Sequence, residues 1–226
     1  MRLDRLFLFL FIICCLLCLT AFIINDQNLF LIAKTMIFPT ITFYYFDLVK
    51  KINYLFVFAL FLFYLADIFI LLDTLYMTFA LAIILNISHL LILKLAIQDI
   101  KFPIKKDKLF WSSVLFLFFV QSLQIPIFIL MRDSNFVLGL FIFVTNIVLS
   151  TTCGIAFYNY FLKKSSASLY FLITCVLFVI LYLAFYIYKY IYFVAFLKYL
   201  SMIFKLASYF FIVKYMISKD KFLIEN

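Results

Sequence analysis

Asp67 is the one acid in an apolar run of helix length, residues 54–72 (YLFVFALFLFYLADIFILL). A carboxylate at membrane depth is costly and persists where it has a partner, water or a task. Lys34 is a second charge in such a run, and His89, the only histidine, follows Asn86 by three residues on the same helical face. A neutral imidazole can shuttle protons near physiological pH or simply hydrogen-bond between helices, and Asp67 either forms a structural ion pair or marks a functional site. Lys34 and Asn86 are candidates for binding an anionic group and positioning water, and Lys198 joins them as a further cation near the same depth. One histidine with scattered acids offers no ligand cluster for zinc or iron, so no metal and no cofactor are expected. The chain has no Walker loop, dinucleotide fingerprint, G-x-S-x-G elbow or H-E-x-x-H, and its 2 glycines cannot build a phosphate-cradling loop.

The elements that must carry these residues follow from composition. The chain has 226 residues, of which 69% are hydrophobic and 13% charged, and its mean hydropathy is +1.25. A soluble domain of this size could not bury so many Phe and Leu, which recur on every face of each helical stretch. A spanning helix takes about 20 mostly apolar residues. Polar punctuation then yields an all-α, polytopic transmembrane helical bundle with spans near 6–24, 29–46, 54–72, 75–97, 110–131, 136–161, 169–188 and 191–217. The connections are short: residues 98–108 form the longest, and two turns fall at Asp73-Thr74 and Lys189-Tyr190.

Basic residues in short loops stay cytoplasmic. With the N-terminus inside, that side collects Arg2, Arg5, Lys50, Lys51, Lys101, Lys105, Lys106, Lys108, Lys163, Lys164, Lys219 and Lys221, against Arg132 and Lys189 opposite. Eight spans with both termini cytoplasmic satisfy this asymmetry. The net charge of +9 is therefore topogenic and faces lipid headgroups, with no nucleic-acid partner implied. Arg2 and Arg5 before an apolar stretch imitate a signal peptide, but no small-x-small site precedes Asn25, so the segment is expected to stay as the first span.

At a rise of about 1.5 Å per residue, Lys34 and Asp67 both lie roughly 9 Å below the outer surface, which makes them natural partners. His89 falls roughly 10 Å deeper than Asp67 by the same measure. In the sixth span Asn146, Ser150, Gly154 and Tyr158 recur every four residues, a stripe of the kind that lets helices approach closely. Pro126, after Gln121 and Gln124, interrupts the fifth. The five cysteines lie inside apolar runs; Cys15-Leu-Leu-Cys18 has redox spacing without the electropositive setting that makes a reactive thiolate.

The order of these features resembles the YhhN family of lysoplasmalogenase-like membrane proteins. The resemblance rests on Lys34-Thr-Met-Ile-Phe-Pro39, on Ala66-Asp67-Ile-Phe-Ile-Leu71 and on Asn86-Ile-Ser-His89 with Ile92 three residues on, so its motifs cover residues 30–95. The family usually shows Lys-Pro, Gly-Asp and His-x-x-Tyr there, from which Thr35, Ala66 and Ile92 depart. Where it carries a second acid in helix seven, Thr174-Cys175 stands here, and its helix-eight Tyr and Gln have no clear counterpart around Leu206-Ala207-Ser208. The resemblance implies hydrolysis of the vinyl-ether bond of a lysoplasmalogen, giving a fatty aldehyde and a glycerophospho-alcohol, with Asp67 and His89 as the candidate catalytic acid–base pair. The partner would be a membrane lysophospholipid, and the location a bacterial inner (plasma) membrane. Two other functions fit the same residues: a non-catalytic lipid- or partner-binding protein, and a small transporter with Asp67, His89 and Lys34 as a proton relay. Topology is open to direct measurement. A reporter cysteine at Asn28 or Asp133 should react with an impermeant reagent outside intact cells and one at Lys105 should not; the reverse pattern would overturn the orientation.

Overall fold

Each apolar segment meets a local signal that ends it. Asp26 caps the second helix by accepting from the backbone N–H groups of Asn28 and Leu29 at 3.0 and 3.1 Å. Asn53 and Asp107 do the same for Phe56 and Phe110 at 3.1 and 3.0 Å. Ser165 and Ser168 form a reciprocal capping box. Asn25 and Lys164 take the left-handed conformation, with φ of 58° and 46°, and so break the chain between helices.

The computed structural model of the protein describes residues 3–69, 75–100, 107–134, 136–191 and 193–225, and the side chains of 75–78, 127–128, 130–134, 190 and 221–225 are not among those described. Among the described residues there are eight helices: α1 (Leu3–Ile24), α2 (Gln27–Leu48), α3 (Tyr54–Phe69), α4 (Leu75–Gln98), α5 (Lys108–Ser134), α6 (Phe136–Lys163), α7 (Ser166–Tyr190) and α8 (Ala195–Glu225). The fold is the expected all-helical membrane bundle. Seven helices are long and apolar enough to cross a membrane, and α3 is shorter over its described residues. The end of the third span, the Asp73-Thr74 turn and the basic run at 101–106 lie outside the described residues. One boundary differs in a way that matters: α7 continues through Tyr190 and α8 begins at Ala195, so the eighth span starts four residues later than the apolar pattern suggests.

The helices pack as neighbours in α1–α2, α3–α4, α5–α6 and α7–α8 pairs, with α4 and α7 also lying against α6. Large apolar side chains such as Leu16, Leu115, Phe118 and Ile147 face outward, as lipid contact requires, while Tyr45, Phe56, Leu95, Ile212 and Val213 fill the interior. One end of the bundle is tied by charge. Asp99 at the end of α4 pairs with Lys219, accepts from Tyr215, and offers its backbone carbonyl to Lys163 at 2.5 Å. Asp220 accepts from the Lys50 backbone N–H at 2.8 Å. These residues share the side that the charge asymmetry of the sequence leads one to expect as cytoplasmic.

The small-residue stripe of α6 is a packing surface. A Cβ on Gly154 would stand 3.1 Å from Leu117 Cβ and 3.4 Å from the Ser113 carbonyl oxygen of α5. Gly154→Val should therefore destabilise the α5–α6 contact by about 1–3 kcal/mol. Thermal unfolding of the detergent-solubilised protein checks it, and an unchanged midpoint would mean the helices can separate without cost.

Candidate functional site

Asp67, in the last turn of the described part of α3, is 6% exposed, and Lys34 on α2 is 8% exposed. The sequence placed them at one depth, and the structure brings them together: Lys34 Nζ lies 4.0 Å from Asp67 Oδ1 and donates to the Asp67 backbone carbonyl at 3.1 Å. The lysine thus serves a backbone carbonyl and a carboxylate at once.

Two further groups complete the site, and neither was singled out beside Asp67 from the sequence. Lys205 of α8 makes the direct ion pair with Asp67 Oδ1. Tyr209, one turn later on the same face, donates its hydroxyl to Asp67 Oδ2 at 3.0 Å. Both carboxylate oxygens are thus occupied, one by an ammonium and one by a phenol. Lys198, which the sequence assigned to this cluster, lies two turns before Lys205 and sets its Nζ over the Phe22 ring, 4.4 Å from the centroid. It does not pair with Asp67 in the structure.

His89 does not reach Asp67. It is buried between Phe63 and Phe178, each ring 5.2 Å away, and its Nε2 is 2.7 Å from the Tyr182 hydroxyl of α7. Phe63 also lies 6.3 Å from Tyr209, so the Asp67 cluster and the His89–Tyr182 pair flank one aromatic group. Asn86 is further removed in role. Its Nδ2 donates to the Ala82 and Phe141 carbonyls at 2.9 and 3.1 Å, tying α4 to α6, and its Oδ1 is buried with no hydrogen-bond partner among the described residues. Thr174, at the position where a second acid was sought, is buried and donates to the Tyr170 carbonyl at 2.9 Å. Among the described residues, no three His, Cys, Asp or Glu side chains group together.

A cavity of about 320 Å³ adjoins this site, at the lower end of the ~300–1,000 Å³ of small-molecule pockets. Its lining takes Lys34, Lys198, Lys205 and Tyr209 from α2 and α8, together with Leu81, Ala82 and Leu85 of α4, Leu138 and Ile142 of α6, and Phe178 and Leu181 of α7. Tyr182 lines it with His89 behind, and Lys189 stands at α7's end of it, 5.8 Å from the Phe185 ring. Asp67 faces a separate small space shared with Lys34, Tyr64 and Tyr209. Beyond Phe22, Phe30 and Lys198 lies a second space, of about 310 Å³, lined also by Asn25, Asp26 and Gln27. Phe22 and Phe30, stacked at 5.4 Å, form part of the wall of both.

Comparison with protein-family models, with curated proteins and with solved structures gives no match. The site therefore stands on its own geometry.

That geometry makes Asp67 the anchor for two lysines. Asp67→Asn should leave Lys34 and Lys205 without their counter-charge and destabilise the fold by about 3–5 kcal/mol, the usual cost of breaking a buried pair. Adding Lys205→Met to Asp67→Asn should recover part of the loss. Unfolding midpoints of the wild type, single and double variants measure this, and a double variant no better than the single would mean that Lys205 finds another partner.

Proposed function

We propose that the protein binds a single-chain phospholipid in this cavity, with the charged headgroup against the lysines and the chain between α4, α6 and α7. The observation that carries this reading is one cavity whose lining combines three lysines and a tyrosine of α2 and α8 with apolar side chains of α4, α6 and α7, the make-up that an amphiphile calls for. The volume supports one chain rather than two. The adjoining space beside Asn25, Asp26 and Gln27 supports access from the side opposite the Asp99 cluster, which the positive-inside reading makes non-cytoplasmic. In this proposal the protein is a YhhN-like protein of a bacterial plasma membrane, the location expected from the sequence.

Vinyl-ether hydrolysis is the second reading, and Tyr209 favours it. The resemblance leads one to look for a helix-eight tyrosine, and Tyr209 lines the cavity while bonded to Asp67. A proton delivered to the enol-ether carbon would generate an oxocarbenium ion; water attacking it, with loss of a proton to a base, gives a hemiacetal that collapses to aldehyde and glycerophospho-alcohol. Asp67 and Tyr209 are the groups placed to exchange that proton, with Tyr182 backed by His89 across the cavity. Among the described residues the cavity lining holds no carboxylate, and for this reason binding stands first.

Native mass spectrometry of the delipidated protein should show one lysophospholipid bound and no two-chain phospholipid at equal concentration. Ala82→Phe, which fills the apolar lining without replacing a lysine, should weaken the lysophospholipid at least tenfold. Equal capture of two-chain lipid, or none of either, would end the proposal. An aldehyde-release assay with a vinyl-ether lysolipid beside its ester analogue decides the second reading. Release that falls about 10²–10⁴-fold in a folded Tyr209→Phe variant would establish proton transfer, and no release from the wild type would leave binding alone.

A further inference from the structure

The cavity's charge is not balanced. Lys34, Lys198 and Lys205 line it, and the acid among them, Asp67, sits behind the wall with Lys205 on one oxygen and Tyr209 on the other. Three ammonium groups against one carboxylate leave two positive charges among Lys34, Lys198, Lys205 and Asp67. Among the described residues nothing in that lining carries negative charge. Asp26, in the adjoining space beyond Phe22 and Phe30, is committed to capping α2.

Such a wall discriminates among headgroups. A phosphate monoester carries about −1.5 to −2 at pH 7 and three acceptor oxygens, which matches both the charge and the donor count of Lys34, Lys198 and Lys205. Phosphocholine and phosphoethanolamine carry one negative phosphate and an ammonium a few bonds away. That ammonium would enter a region already cationic, with no carboxylate among the described lining residues to receive it. Like charges brought into contact there repel, and the repulsion is screened less than in water. Rejection of the wrong partner by repulsion is as much a source of specificity as attraction of the right one. A free carboxylate, as in a fatty acid, satisfies one of the two charges.

We infer that the site selects a single-chain lipid ending in a phosphate monoester, a lysophosphatidate-type anion, over zwitterionic lysolipids, because three lysines and, among the described residues, no acid line the cavity. This rests on the lysolipid reading and specifies its headgroup. The phosphate supplies the charge, and the apolar lining distinguishes the lipid from free glycerol phosphate.

Binding to the purified full-length protein in lysolipid-free nanodiscs tests it by titration calorimetry with four probes: lysophosphatidate, lysophosphatidylcholine and the fatty acid of the same chain length, and glycerol 3-phosphate. Lysophosphatidate should bind at least tenfold more tightly than lysophosphatidylcholine, with the fatty acid between them and glycerol 3-phosphate weakest. Lys198 is half-buried and free of the Asp67 pair, so Lys198→Glu should fold; it should weaken lysophosphatidate tenfold or more and strengthen lysophosphatidylcholine. Lysophosphatidylcholine bound as tightly as lysophosphatidate, or an unchanged preference in Lys198→Glu, would overturn the headgroup inference while leaving the lysolipid pocket in place. Glycerol 3-phosphate bound as tightly as the lipid would overturn it in favour of a soluble phosphate ester. Failure of both lysolipids to bind would remove the pocket reading and this inference with it.

Discussion

The carboxylate of Asp67 must be neutralised inside a low-dielectric bundle, and that requirement fixes where α2, α3 and α8 meet. A bare charge at this depth costs several kcal/mol, so Lys34 and Lys205 are drawn from two different helices to one acid. Neither α2–α3 nor α2–α8 packs as extensively as the sequential hairpins α1–α2 and α7–α8. The polar cluster therefore supplies a specific register where apolar packing supplies little. Tyr209 completes it by bonding the second oxygen, and the aromatic group of Phe63, His89, Phe178 and Tyr182 extends from it across to α4 and α7.

The other end of the bundle obeys the same electrostatics at lower cost. Asp99 gathers Lys219, Tyr215 and Lys163 where headgroups and water are near, and the left-handed Lys164 and the Ser165 capping box turn the chain there. Lys163 and Lys219, with Tyr215, thereby cross-link α4, α6 and α8. Trp111 and Tyr54 are exposed near helix ends on this side, in keeping with the preference of amphipathic rings for the interface.

The fold was legible in the sequence because apolar length and charge asymmetry are one-dimensional signals, and the Lys34–Asp67 pairing because two depths could be counted from helix ends. Lys205 was not assigned to Asp67 because the count on α8 began too early. With the helix starting at Ala195, Lys198 falls in the first turn, near the surface, and Lys205 lies roughly 10 Å further in, within reach of the acid. Tyr209 then follows by one helical turn. His89 and Asn86 share a face of α4, yet that face meets α7 through one and α6 through the other, and nothing in a spacing of three says which neighbours a helix will have. The cavity was invisible for the same reason: its walls come from α1, α2, α3, α4, α6, α7 and α8.

A purely structural ion pair would need one lysine for Asp67. Lys34 and Lys205 already exceed that, and Lys198, which the Phe22 ring holds through a cation–π contact, lines the same cavity. In a membrane interior, excess charge of one sign is costly to retain, and replacing such a lysine by methionine would keep its apolar stem and packing while removing the charge. A cavity lined by three ammonium groups and by Leu, Ile and Phe side chains favours water or an anion beside the lysines. An anion joined to an apolar chain satisfies both kinds of side chain at once, which is why the surplus of lysine over acid, rather than the ion pair itself, carries the functional argument.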